Sequence, residues 1–225
     1  MAQGQEAVTM GRTVVHESLT TLPARAELCS VTALPSRVAG HEALRVELTD
    51  DITANGVAGT DFVDQPTFVA LPMHFSTGSI EIDILSRLNH KTDFDARGFA
   101  GIAFGIADDR NRFESVYLRP LNGLKTKIGP PRNQRAVQYI AYPDWPFDRL
   151  RDKYPDGRYE TEANIGPDEW NTLGVHITDK IIAATINHQP VLTVDRRAPA
   201  CEGNLGLFVD IGSEAFFKNL QISQD

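Results

Sequence analysis

The sequence predicts an all-β, antiparallel sandwich, and three observations support this. Short apolar segments with strand-like alternation recur along the chain, helical periodicity is nearly absent, and turn residues separate the segments at short intervals. Many short strands at such spacing are the pattern of two packed antiparallel sheets.

The first strand candidates are Glu27 to Thr32, Ala43 to Leu48, Thr67 to Pro72 and Ser79 to Leu85. In the last of these, Ile80, Ile82 and Ile84 alternate with Glu81 and Asp83, so the isoleucines face the core and both carboxylates project from the opposite face. Two segments, Gly98 to Ile106 and Arg112 to Pro120, flank the turn Asp108-Asp109-Arg110-Asn111. Ile102, Phe104 and Ile106 define a packed face in the first, while Gly101, Ala103 and Gly105 leave the other face nearly bare. Val116 and Leu118 join the packed face, which places Ser115, Tyr117 and Arg119 beside the small residues. That bare face is the expected floor of a ligand hollow.

Further strands are expected over Ala136 to Tyr142, Trp170 to Thr178, Ile181 to Asn187, Val191 to Val194, Asn204 to Val209 and Phe216 to Ile222. Turns fall at Thr178-Asp179-Lys180, Asn187-His188-Gln189-Pro190 and Asp210-Ile211-Gly212-Ser213. The segment Pro143 to Ile165 is longer than a hairpin connection and holds Trp145, Phe147, Arg149, Arg151 and Tyr154. Phe147 to Tyr154 fits a short helix, and the segment is expected to form the ligand site together with the polar-aromatic face, a lid that merely covers the end of the sandwich being the competing reading.

A length of 225 residues fits a single domain over 1–225, with the polar residues 1–12 expected to form a flexible N-terminal segment. A net charge of −8 and the lack of a Lys/Arg-rich run argue against a nucleic-acid partner. No run of about 18 apolar residues predicts a membrane span, and without a cationic-then-apolar leader the chain reads as soluble and cytoplasmic. Cys29 and Cys201, the only cysteines, are read as buried free thiols in preference to a disulfide.

Several segments together resemble a known superfamily: Gly78 to Ile84, Gly101 to Ile106, Tyr117 to Pro120, Gly203 to Val209 and Ala215 to Ile222. They are similar to the concanavalin A-like lectin/glucanase superfamily, including its laminin-G-like bacterial members, over roughly Phe68 to Ser223. The resemblance implies a jelly-roll sandwich whose concave face binds glycans, and it bears on fold more than on activity.

Two constellations carry candidate chemistry. Retaining glucanases of this superfamily use Glu-x-Asp-x-x-Glu on one strand; here Glu81 and Asp83 match, but Ser86 stands in the last place, so the acid/base role has no occupant and a salt-bridged strand face is the competing reading. The second set is Tyr117, Arg119, Asn122, Gln138, Tyr142, Trp145, Arg149 and Arg151. Aromatic platforms beside amide and guanidinium donors suit sugars, and Arg also pairs with a uronate carboxylate. The resemblance also admits a polysaccharide lyase, with Tyr142 as base and Arg119 and Gln138 neutralising the carboxylate, although the strand Gln138-Tyr139-Ile140 lacks the family's His. Carbohydrate recognition is thus the leading function; a glycan-active enzyme (glycoside hydrolase or lyase) and a laminin-G-like protein-interaction module are the alternatives. The six histidines lack ligand spacing, so no metal site is read and no cofactor is expected, calcium at Asp93-Phe94-Asp95 or Asp108 to Asn111 being the one metal option.

Overall fold

A computed structural model describes residues 13–200 and 202–224. The expected N-terminal segment and Cys201 lie outside the described residues; Cys29 is half-buried, and burial raises its thiol above the ordinary range.

Two antiparallel sheets face each other. In the first the strands run in the spatial order β13 (Gln189–Asp195), β12 (Ile181–Ile186), β11 (Trp170–Ile177), β6 (Gly78–Leu88), β15 (Ser213–Gln224), β4 (His41–Leu48) and β3 (Val31–Val38), and β1 (Thr13–Glu17) pairs with the end of β15. The second runs β10 (Glu160–Thr161), β9 (Val137–Tyr142), β8 (Phe113–Leu118), β7 (Ala100–Ile106), β14 (Gly203–Val209), β5 (Phe68–Phe75) and β2 (Glu27–Cys29). Non-sequential neighbours such as β6 with β15 and β7 with β14 give the jelly-roll crossing. A short helix α1 (Asp50–Asn55), opened by Thr49 whose hydroxyl accepts from the Ile52 N–H, and a second, α2 (Phe147–Lys153), complete the frame. Among the described residues no helix is long and apolar enough to cross a membrane.

The period-2 pattern of β6 is realised. Ile80, Ile82 and Ile84 are buried, with Ile82 opposite Leu173 and Ile80 opposite Val175 and Ile222. From the other sheet Ile102, opposite Val116 and Leu207, enters the same hydrophobic cluster. Glu114, on that inner face, pairs with the buried Arg196, which follows β13 and also donates to the Thr178 carbonyl. Burial raises the Glu114 carboxyl, and the Arg196 and Tyr139 donors counter it. The pair ties the sheets together at one end.

The predicted bare face is not bare. Gly101 lies opposite both Tyr117 and Phe208, and Phe208 lies opposite Phe68. Ring centroids stand 5.2 Å apart for Tyr117–Phe208 and for Phe68–Phe113, and Phe113 stacks on Tyr142 at 5.1 Å. Both faces of β7 and β8 are therefore buried. Glycine is required at 101 because a Cβ there would sit 2.2 Å from the Val116 carbonyl oxygen and 2.5 Å from the Tyr117 Cα. The expected alternation also breaks: Gly105 adopts φ 61°, and the β14–β7 register shifts between Asn204 and Gly206. This bulge carries Ile106 to the Gly206 side, away from the face of Ile102 and Phe104.

Candidate functional site

The rings fill the middle of the outer face of the second sheet, and the hollow lies beside them. A cavity of about 330 Å³ opens where the loop 56–67, the segment 89–99, the ends of β8 and β9, and α2 meet. Its frame is a chain of hydrogen bonds. Asp210, just after β14, accepts from the backbone N–H groups of Val63 (3.0 Å), Asp64 (2.9 Å) and Ile211 (2.7 Å). Val63 and Asp64 both lie in the left-handed region, at φ 68° and 57°. Such residues cost about 1–3 kcal/mol each, and the Asp210 carboxylate seated on their successive N–H groups offsets that cost.

Asp64 passes the connection on. Its carboxylate accepts from the Tyr117 hydroxyl (2.9 Å) and from the Phe147 N–H at the start of α2 (2.7 Å). The Arg119 guanidinium in turn donates to the Tyr117 oxygen (2.9 Å) and to Glu160 (3.2 Å). Burial, with the neighbouring Asp210 charge, pushes Asp64 up to about 6, against the pull of the Phe147 N–H, Arg119 and Tyr117. Burial likewise raises Asp210, and it holds the Tyr117 phenol well above its usual range. Burial opposes the charge on Arg119, but Tyr117, Asp64 and Glu160 more than compensate and keep it protonated.

The walls combine rings with cations. Arg119 lies over Phe99, Tyr117 and Phe147 at 6.0, 5.2 and 5.4 Å, and Arg151, one helical turn after Phe147, covers the same ring at 4.7 Å. Phe94, 40% exposed and set edge-on to Phe62, stands at the rim. Aromatic faces with fixed donors can hold a ligand that presents apolar C–H surface and polar edges together.

Of the residues singled out in the sequence, Tyr117, Arg119, Asn122 and Arg151 line this cavity. Gln138 lies buried beside it, its amide N–H₂ donating to the carbonyls of Tyr139 and Tyr159. Tyr142 and Trp145 line a separate recess of about 380 Å³ at the other end of β8 and β9, and Arg149 stacks on Trp145 at 4.9 Å while donating to the Asp144 carbonyl. The structure thus does not gather Tyr142 with Arg119 and Gln138 at one cavity. Glu81 and Asp83 project from the other sheet: Glu81 lies 3.3 Å from His188, and Asp83 accepts from Thr172 and Asn219 and lies 3.5 Å from Lys218. The Ser86 hydroxyl is buried, donating to the Gly98 carbonyl. Of the carboxylates considered for calcium, Asp95 accepts from Arg97 and Arg132, and Asp109 from Asn111. No cluster of three or more potential metal ligands occurs among the described residues.

Asp64, Asp210, Glu160, Arg135 and Phe94 were not recognised as site residues from the sequence. One signal was present: arginines 132, 135, 149, 151 and 158 crowd a short stretch of an otherwise acidic chain.

No family model matches the chain, and the curated proteins give no match. Solved structures do match in shape. A Bacillus subtilis protein with a galectin-like fold superposes with TM-score 0.54 at 11% identity, over 93% of this chain and 94% of its own. The transglycosylase Crh5 in complex with NAG gives 0.53 at 11%, over 94% and 83%. A carbohydrate-binding module from Bacillus subtilis gives 0.50 at 12%, over 87% and 96%. At such identities the likeness establishes architecture alone, and the chain has the jelly-roll fold of the concanavalin A-like lectins and glucanases.

Proposed function

We propose that the chain is a carbohydrate-recognition protein whose ligand sits in the cavity between Phe94, Phe99, Phe147 and the Arg119 network. The observation that carries this reading is the pairing of aromatic walls with guanidinium donors fixed in place by hydrogen bonds, in a cavity of ligand size on a sheet face. Neighbours with the same architecture include a carbohydrate-binding module and a NAG complex, which supports the reading. The test is retention of the purified protein on an array of neutral and uronate-containing oligosaccharides. A glycan class should be retained, and Phe94→Ala, at a half-exposed rim position, should weaken retention by about three- to tenfold without lowering Tm. Retention of no glycan class would contradict the proposal.

A glycan-active enzyme is the second reading, favoured by one observation: two carboxyls, Asp64 and Asp210, lie side by side in the lining of the cavity, and burial raises both. Release of shortened products during the same incubation, abolished in Asp64→Asn, would move the function to catalysis.

A further inference from the structure

Building on the carbohydrate reading, we infer that this cavity selects acidic saccharides: five guanidiniums converge on it with too few protein carboxylates to match them, leaving a cradle for a ligand anion. The chain as a whole carries −8, so a basic cavity runs against its overall charge. Arg97, Arg119, Arg132, Arg135 and Arg151 all line the walls. Arg97 and Arg132 share one carboxylate, Asp95. Arg119, Arg135 and Arg151 share another, Glu160, at 3.2, 3.2 and 2.6 Å. The two carboxylates beneath, Asp64 and Asp210, are engaged by backbone N–H groups and by Tyr117. Even with both of these ionised, positive charge stays in excess.

Hydrogen-bonding capacity is in excess too. A guanidinium offers five N–H donors in a planar fork that fits a carboxylate or a sulfate. Arg151 uses its fork on Glu160 through Nε and a terminal nitrogen, whereas Arg135 makes a single 3.2 Å contact to that residue and is about one-third exposed. Arg119 is 4% exposed, yet its Nε–H meets no acceptor, and the Asn122 side-chain oxygen in the same wall is also unpartnered. Burial and the neighbouring Arg151 and Arg119 charges push the Arg135 guanidinium below its ordinary value, so the three cations are crowded against one another. An incoming anion relieves that repulsion. The rings under Arg119 and Arg151 fix the guanidinium planes in advance, so little ordering remains to oppose binding.

The cavity does not end at these arginines. Arg135, Arg151 and Glu160 also line an adjoining polar recess of about 680 Å³ bounded by Tyr154 and Glu162. A chain of sugars can therefore cross the guanidinium ridge, with its acidic unit over Arg135 and neighbours on either side.

The test compares backbone-matched ligands by calorimetric titration: oligogalacturonate against its fully methyl-esterified form, and a sulfated galactan oligosaccharide against its desulfated form. We expect at least one acidic ligand to bind about tenfold or more tightly than its neutral partner, with affinity falling as salt rises. The carboxylate and sulfate arms tell which anion the ridge prefers. Arg135→Gln should abolish most of that preference, bringing the ratio of acidic to neutral affinity to about threefold or less, and an unchanged ratio would overturn the inference. Neutral ligands binding as tightly as acidic ones would overturn this inference and leave carbohydrate recognition standing; binding of neither, here and on the array, would remove both.

Discussion

Asp64 concentrates the chemistry of the site in one residue. It joins the loop 56–67 to β8 through Tyr117 and to α2 through the Phe147 N–H, and it does so from a fully buried position. Its folded-state value of about 6, against 3.8 for an exposed aspartate, corresponds to about 3 kcal/mol. Because the value is raised, this contribution to stability is fully present below about pH 4 and is lost as pH rises through about 6. Chemical denaturation of the parent and of Asp64→Asn across this range should show the stability difference moving in favour of the variant by about 3 kcal/mol between pH 3.5 and pH 7. A difference that does not change with pH would contradict the account. Nothing in the sequence around Asp64 announced this role, because its environment is assembled from Asp210, Tyr117 and α2, residues distant along the chain.

At the scale of single elements, the legibility of the sequence depended on regularity. In β6 the alternation of isoleucines with acidic residues marked the inner face correctly: its pairing with β11 runs unbroken, and the register shift on its other side, between Lys218 and Gln221, is taken up by an extra residue in β15 where Asn219 adopts φ 54°. In β7 the same reasoning stopped at Gly105, where a bulge returns Ile106 to the opposite face. The glycines of β7 were legible as small residues, but their purpose was not. Gly101 is a point where two strands and the Tyr117 side chain approach closely, a fact visible only once Phe208 and Tyr117 are placed opposite it. Gly101→Ala should therefore destabilise the fold by about 1–3 kcal/mol in denaturant titrations, by forcing β7 and β8 apart. An unchanged midpoint would show that the close approach is not obligatory. The helix over Phe147 to Tyr154 was legible, as was the expectation that its segment borders the ligand site; α2 occupies Phe147–Lys153, and its particular contacts, the Phe147 ring under Arg119 and Arg151 on Glu160, were not.

Across the whole molecule the two sheets divide the work. The outer face of the first sheet is closed by its own side chains: Arg45 and Arg87 share Glu214, Asp83 lies near Lys218, and Lys218 covers the Trp170 ring at 4.7 Å. Glu81 and Asp83 belong to that surface. The second sheet carries a loop and a helix over its outer face, leaving an aromatic and cationic cavity at their junction. The all-β sandwich and the general neighbourhood of Tyr117 and Arg119 were readable from periodicity and composition. The floor of Asp64 and Asp210, the convergence of arginines on Glu160 and the separation of Tyr142 and Trp145 into another recess come from long-range packing that no local pattern encodes. The most direct test is a crystal structure of the chain with a bound oligosaccharide selected by the array. The account predicts sugar density against Phe94 and Phe99, with a polar group within hydrogen-bond distance of Arg135 or Arg151. Density confined to the Tyr142–Trp145 recess, or lying on the Glu81 and Asp83 face of the first sheet, would contradict it.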